Sequence, residues 1–129
     1  MKKLVFCEDD NHIAVLVEFC LEDLGFEIER FCDGGHALER LGQEPRPDIV
    51  LLDLNLPTKT GLEILAELKA DPARASIPVI IISARAKDAD RAQAIESGAS
   101  AYLTKPFDTE ELISTVETFA AEARAVATA

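Results

Sequence analysis

Short runs of β-branched and other apolar residues recur along the chain: "KLVFC" near its start, then "FEIERFC", "DIVLLD", "PVIIIS" and "AYLT". Between them apolar positions fall three and four apart. Runs of the first kind read as strands and segments of the second as amphipathic helices, so strand and helix alternate along the chain. In the first helix Ile13, Leu16, Val17, Cys20 and Leu24 form the predicted inward stripe, and Gly25 stands where the helix should stop. The second helix is predicted to be short, from about His36 to Leu41. The third runs from Leu62 to Leu68 and ends before Asp71 and Pro72, since proline cannot continue it. The fourth, near Asp88 to Ser97, is alanine-rich, with Ala92 and Ile95 as its inward residues and Gly98 as its cap. In the last helix Asp108 is expected to accept the amide hydrogen of Glu111, with Phe107 and Leu112 stapled across the first turn. Leu112, Val116, Phe119 and Ala123 would then face the core.

Strands joined by helices imply a parallel α/β sheet, because parallel neighbours need crossovers and those crossovers are right-handed. Helices then cover both faces in an αβα sandwich. That burial explains why "IVLL" and "VIII" are continuous apolar runs rather than alternating ones. With 129 residues the chain is long enough for one domain, read as 1–123, followed by a short alanine-rich tail at 124–129. No apolar run approaches the length of a bilayer span, and a cytoplasmic location is expected. The 24 acidic and 13 basic residues leave a formal charge of −11, which argues against direct binding to nucleic acid or an anionic membrane. Cys7, Cys20 and Cys32 form no CxxC pair and are read as reduced core thiols.

In a sheet of this kind ligands bind beyond the carboxyl ends of the strands. Strand one ends in Glu8, Asp9 and Asp10, strand three in Asp53, strand four in Ser83, and strand five in Thr104, Lys105 and Pro106. If strands one and three are neighbours, their acids converge in one shallow pocket, where they repel each other unless a cation is present. Oxygen ligands with open positions suit Mg²⁺, which keeps waters and shares its remaining sites with phosphate. Each residue alone has a plainer reading. Asp10 suits the N-cap of the first helix, Ser83 a turn, Lys105 the solvated surface, and Tyr102 a half-buried packing position. His12 and His36 lack a partner at metal-ligand spacing. The conjunction carries the argument: acid, acid, hydroxyl and lysine close four different strands.

The segments "CEDDNHI", "DLNLPTKTG" from Asp53, "IISA" at Ser83 and "GASAYLTKPF" from Gly98 together closely resemble the receiver domain of two-component response regulators, the chemotaxis regulator being the best-known single-domain kind. Pro57 and Gly61 fall where that family's loop has them. Departures are small: Ser83 for the commoner threonine, Glu8 for the first of two acids, and Leu56 for methionine. The resemblance covers nearly the whole chain and implies a flavodoxin-like, doubly wound sheet of order 2-1-3-4-5. It implies that Asp53 accepts a phosphoryl group from a phosphohistidine of a sensor kinase or phosphotransfer protein. Asp9 and Asp53 would ligate Mg²⁺, or Mn²⁺, with their carboxylates, Asn55 with its backbone carbonyl, and Glu8 through water. Lys105 and the Ser83 hydroxyl would contact phosphoryl oxygens, and Asn55 and Arg85 would set the lifetime of the phosphate. Ser83 and Tyr102 would form the switch, Tyr102 turning inward as Ser83 is drawn to the phosphate, which remodels the face of the fourth helix, fifth strand and last helix. That face would meet a protein target or output domain and is also a candidate dimer surface. The Lys105-Pro106 peptide is expected to be cis.

The favoured reading is a phosphorylation switch that acts through protein contacts and catalyses nothing beyond its own phosphorylation and dephosphorylation. Three alternatives fit the residues less well. A small Mg²⁺-dependent phosphatase would need a second acid two residues beyond Asp53, where Asn55 stands. A flavodoxin-like cofactor protein would need phosphate-cradling amides where Glu8, Asp9 and Asp10 repel phosphate. A phosphorylation-independent scaffold would not need the intact acid, hydroxyl and lysine set.

Overall fold

The uninterrupted apolar runs become the middle of the sheet. The computed structural model describes the backbone of residues 2–128 and the side chains of residues 2–121. Its strands are β1 (Lys2–Cys7), β2 (Phe26–Phe31), β3 (Ile49–Leu52), β4 (Val79–Ser83) and β5 (Ala101–Thr104). Its helices are α1 (Asn11–Leu21), α2 (Gly34–Leu41), α3 (Gly61–Ala70), α4 (Asp88–Glu96) and α5 (Thr109–Thr128), with a 3₁₀ turn at Glu22–Leu24. All strand pairs are parallel, in the order β2-β1-β3-β4-β5. This is the flavodoxin-like topology the resemblance implied.

Side chains alternate across the sheet and so build two cores. Leu4, Phe6, Ile49, Leu51, Ile80 and Ile82 pack with Val17 and Leu21 of α1 and with Leu112 and Val116 of α5. Val5, Val50, Leu52 and Ile81 pack with Leu41 of α2 and with Ile64, Leu65 and Leu68 of α3. Each fully buried aliphatic side chain contributes about 1.5–3 kcal/mol. β2 is an edge strand, and its alternating "FEIERF" matches its half-exposed position.

Two helices are rotated from their expected phase. In α1 the buried residues are Ala14, Val17 and Leu21, whereas Leu16 is 39% exposed and Val15 and Phe19 are 65% and 74% exposed. Nearly every position of "NHIAVLVEFCL" is apolar, so periodicity could not fix which face turns inward. α4 likewise buries Ala94 and leaves Ala92 and Ile95 exposed. Its alanines weigh the same in several rotations; Arg91, three residues before Ala94 and over the Tyr102 ring at 5.6 Å, marks the face that meets β5.

Local capping moved several boundaries. α2 starts at Gly34 rather than His36, because Asp33 accepts the amide hydrogens of Gly35 and His36 at 2.8 and 3.1 Å. α3 starts at Gly61 and ends at Ala70, with Thr60 and Glu63 forming a reciprocal capping box. In α5 Asp108 accepts from the Glu110 amide at 2.8 Å, one residue earlier than expected. Leu112 and Val116 are buried as predicted, while the expectation for Ala123 falls on a side chain outside the described residues; over 124–128, read as a tail, the backbone continues α5. Gly25 and Gly98 take positive φ at the expected stops. The thiols differ from one another: Cys7 is buried, Cys20 half-buried and Cys32 exposed just past the edge strand, so only Cys7 is a true core thiol. Lys105-Pro106 is cis, as is Glu44-Pro45.

Candidate functional site

The β1–β3 register sets Cys7 beside Leu52, so the residues that follow, Glu8 and Asp53, emerge side by side. Backbone bonds fix both: the Asp53 amide donates to the Cys7 carbonyl at 3.1 Å, and the Glu8 amide to the Phe31 carbonyl at 3.0 Å. Ser83 and Thr104 pair at the ends of β4 and β5, and the Lys105 amide donates to the Ser83 carbonyl at 2.7 Å. Four strand ends thus supply one cluster. Carboxylate oxygens of Glu8, Asp9 and Asp53 lie within 4.8 Å of one another, with Glu8 and Asp53 buried and Asp9 exposed.

Lys105 holds this cluster together. Its Nζ donates to Glu8 Oε1 at 2.6 Å and to Asp53 Oδ2 at 2.7 Å. The solvated-surface reading of Lys105 is therefore wrong; its side chain is only 14% exposed. One ammonium among three carboxylates leaves excess negative charge. Burial pushes the Glu8 carboxyl above its ordinary range, and the bond from Lys105 offsets this only in part. Burial pulls the Lys105 ammonium down, but the bonds to Asp53 and Glu8 outweigh it and the net direction is up. A divalent cation suits this donor set: all-oxygen, partly exposed, and short of positive charge.

The remaining residues named from the sequence surround Asp53. The Asn55 amide donates to Asp53 Oδ1 at 3.0 Å, and Arg85 Nη2 donates to Asn55 Oδ1 at 2.9 Å. Ser83 is fully buried, and its Oγ accepts from the Arg85 amide at 3.1 Å, which is the turn contact of the plainer reading. That contact uses a lone pair and leaves the hydroxyl hydrogen free to donate. Tyr102 is 5% exposed rather than half-buried; it already points inward, and its hydroxyl donates to the Arg85 carbonyl at 2.8 Å. Asp10 is the N-cap of α1, accepting from His12 and Ile13 at 2.9 and 3.2 Å. His12 and His36 are exposed.

Other contacts were not legible in the sequence. Arg30 of β2 donates through Nε and Nη2 to the Glu8 carbonyl at 3.2 and 2.9 Å, which braces the first acidic loop. A Cβ added to Gly61 would fall against the Asp53 carbonyl oxygen and lie 3.0 Å from Leu54 Cα, so only glycine lets α3 start this close. The peptide groups of Arg85 join Ser83 to Tyr102, a link that no single-residue motif announces.

The family model for the response regulator receiver domain matches residues 4–117. The phosphate regulon transcriptional regulatory protein PhoB of Rhizobium meliloti is 35% identical over 117 residues, 91% of this chain and 51% of that protein. The DNA-binding dual master transcriptional regulator RpaA of Synechocystis is 36% identical over 116 residues, 90% of this chain and 48% of that protein. The chain spans about half the length of the curated relatives it matches. Among solved structures, the receiver domain of Francisella response regulator 1452 superposes with a TM-score of 0.85 at 30% identity, covering 95% of this chain and 98% of that one. The Mn²⁺-bound form of response regulator Rcp1 gives 0.80 at 32% identity, covering 92% and 91%.

Proposed function

Because the chain belongs to the response regulator receiver domain family, the phosphorylation-dependent switches of two-component signalling, we propose that Asp53 is its phosphoacceptor and that Lys105, Ser83, Glu8 and Asp9 serve the transfer. A carboxylate oxygen of Asp53 bonds to phosphorus as the phosphorus–nitrogen bond of a phosphohistidine breaks, and the departing imidazole nitrogen keeps the bonding pair. The apolar β3 strand holds that carboxylate still and aims it. Lys105, already within 2.7 Å of Asp53, meets the charge that gathers on the phosphoryl oxygens. Ser83 donates its free hydroxyl hydrogen to another of them. Asp9, Asp53 and the Asn55 carbonyl, with Glu8 acting through water, would hold Mg²⁺ or Mn²⁺, which would supply the positive charge the carboxylates lack. The observation that carries this reading is the single Lys105 ammonium shared by two buried carboxylates beside exposed Asp9.

Asn55 and Arg85, bonded to each other at 2.9 Å over the site, govern water's approach and so the lifetime of the phosphate. Ser83 and Tyr102 carry the change to the face of α4, β5 and α5, where exposed Ile95 offers apolar surface to a target, an output domain or a second copy. The phosphodonor is a sensor kinase or phosphotransfer protein that packs on the exposed Val15, Leu16 and Phe19 of α1, the helix that begins beside Asp9. Beyond its own phosphorylation and dephosphorylation the domain turns over no substrate, and it binds neither nucleic acid nor membrane by itself. Among the described residues no helix is long and apolar enough to cross a membrane, and we place the domain in the cytoplasm. Incubation with acetyl phosphate and Mg²⁺, followed by intact mass measurement, should give one phosphoryl adduct that is lost in Asp53→Asn and with chelator. Equal yield in Asp53→Asn, or indifference to chelator, would overturn the assignment.

A further inference from the structure

Thr58 lies in the left-handed region at φ 70, the one non-glycine to do so among the described residues. A β-branched side chain is ill suited to that conformation, which persists only where the surroundings impose it. Here they do. The Thr58 hydroxyl donates to Asp33 Oδ2 at 2.6 Å, while Oδ1 of the same carboxylate caps α2 through Gly35 and His36. Beside this tie the Gly34 amide donates to the Pro57 carbonyl at 3.0 Å, and a Cβ on Gly34 would fall against the Lys59 carbonyl. Asp33 has its carboxyl held below its ordinary range, first by the Thr58 hydroxyl. The start of α2 and the β3–α3 loop are thereby clamped together.

Leu54 and Leu56 anchor the start of that loop in the core, but Asn55 between them and Pro57 and Thr58 beyond them are exposed, so burial does little to hold the stretch after Leu56. Asparagine or glycine at 58 would fit the backbone better but would not place the same hydroxyl against Asp33. We infer that Thr58 is a positioning residue for phosphoryl transfer: through Asp33 it pins the loop so that Asn55 stays beside Asp53 and presents its carbonyl to the cation. The inference rests on Asp53 being the phosphoacceptor.

The test compares wild type with Thr58→Val, which deletes only the hydroxyl's polarity, Thr58→Gly, which is at ease at positive φ, and Thr58→Ser, which keeps the hydroxyl. Two readouts are taken: amide hydrogen exchange over residues 54–60 in metal-free protein, and the Mg²⁺ concentration for half-maximal labelling by acetyl phosphate. Thr58→Val and Thr58→Gly should both exchange faster in the loop and need about fivefold more Mg²⁺, the size of one lost hydrogen bond. Yield at saturating Mg²⁺ should be unchanged, and Thr58→Ser should match wild type. The inference is overturned by wild-type exchange and Mg²⁺ dependence in Thr58→Val and Thr58→Gly. It is also overturned if Thr58→Gly behaves as wild type while Thr58→Val does not, which would assign the effect to the backbone. Failure of wild type to label at all would sink the phosphoacceptor reading and the transfer role with it. The exchange measurement, which needs neither metal nor phosphodonor, would then show separately whether the tie exists.

Discussion

On the proposed reading, Lys105 would change partners without changing its task. It offsets two carboxylates that would otherwise repel, at 2.6 and 2.7 Å, and in the proposed transfer the same ammonium would stand where phosphoryl charge develops. Replacing it with methionine keeps much of the stem but removes the charge. Lys105→Met should still bind Mg²⁺ but label with acetyl phosphate about a hundredfold or more slowly, the range seen when one charge-stabilising donor is lost. The time course of intact mass checks this. The charge that ends the apolar run "DIVLLD" is accommodated in the same way: Asp53 is only 6% exposed and is tolerated because Lys105 and the Asn55 amide satisfy it.

Among the elements, α3 and α4 are opposites. α3 buries Gly61, Ile64, Leu65 and Leu68 and begins with a complete capping box, whereas α4 buries only Ala94 and has no side-chain cap. Backbone amides of α4 should therefore exchange faster than those of α3 in native-state hydrogen exchange. Comparable protection in the two helices would contradict this. The capping box also makes a pH prediction. The Thr60 amide and hydroxyl hold the Glu63 carboxyl below its ordinary 4.5. A depressed folded-state value means stability that is present above the unfolded value and lost as pH falls through the folded one. Glu63→Gln keeps an acceptor but does not titrate, so its loss of stability between about pH 5 and about pH 3 should be shallower than wild type in urea melts.

Across the whole molecule, the sequence disclosed what depends on strong, local or additive signals. Strand positions followed from "IVLL" and "VIII", and the cluster followed from acids and lysine closing separate strands. What stayed hidden depends on rotation or on distance in the chain. Leu16, Ala92 and Ile95 were turned the wrong way because uniformly apolar or alanine-rich helices have no preferred phase. Arg30 and Glu8 are 22 residues apart and Thr58 and Asp33 are 25 apart, and nothing in either segment advertises the contact. At Asp33 two local signals conflict: Gly34 and Gly35 are poor helix formers, and the cap overrides that preference.

At Arg85 two channels share one residue without mixing. Its guanidinium reaches Asn55, while its amide and carbonyl reach Ser83 and Tyr102. Arg85→Ala should therefore change the decay of the phosphoprotein, followed by mass over time, yet leave Tyr102 ring signals in NMR responsive to phosphorylation. Arg85→Pro, which deletes the amide hydrogen, should blunt that response. On the proposed roles, clock and message could then diverge: descendants of this chain would be free to become slow or fast timers by exchanging one side chain, while the news they carry would travel by peptide groups that nearly every amino acid supplies.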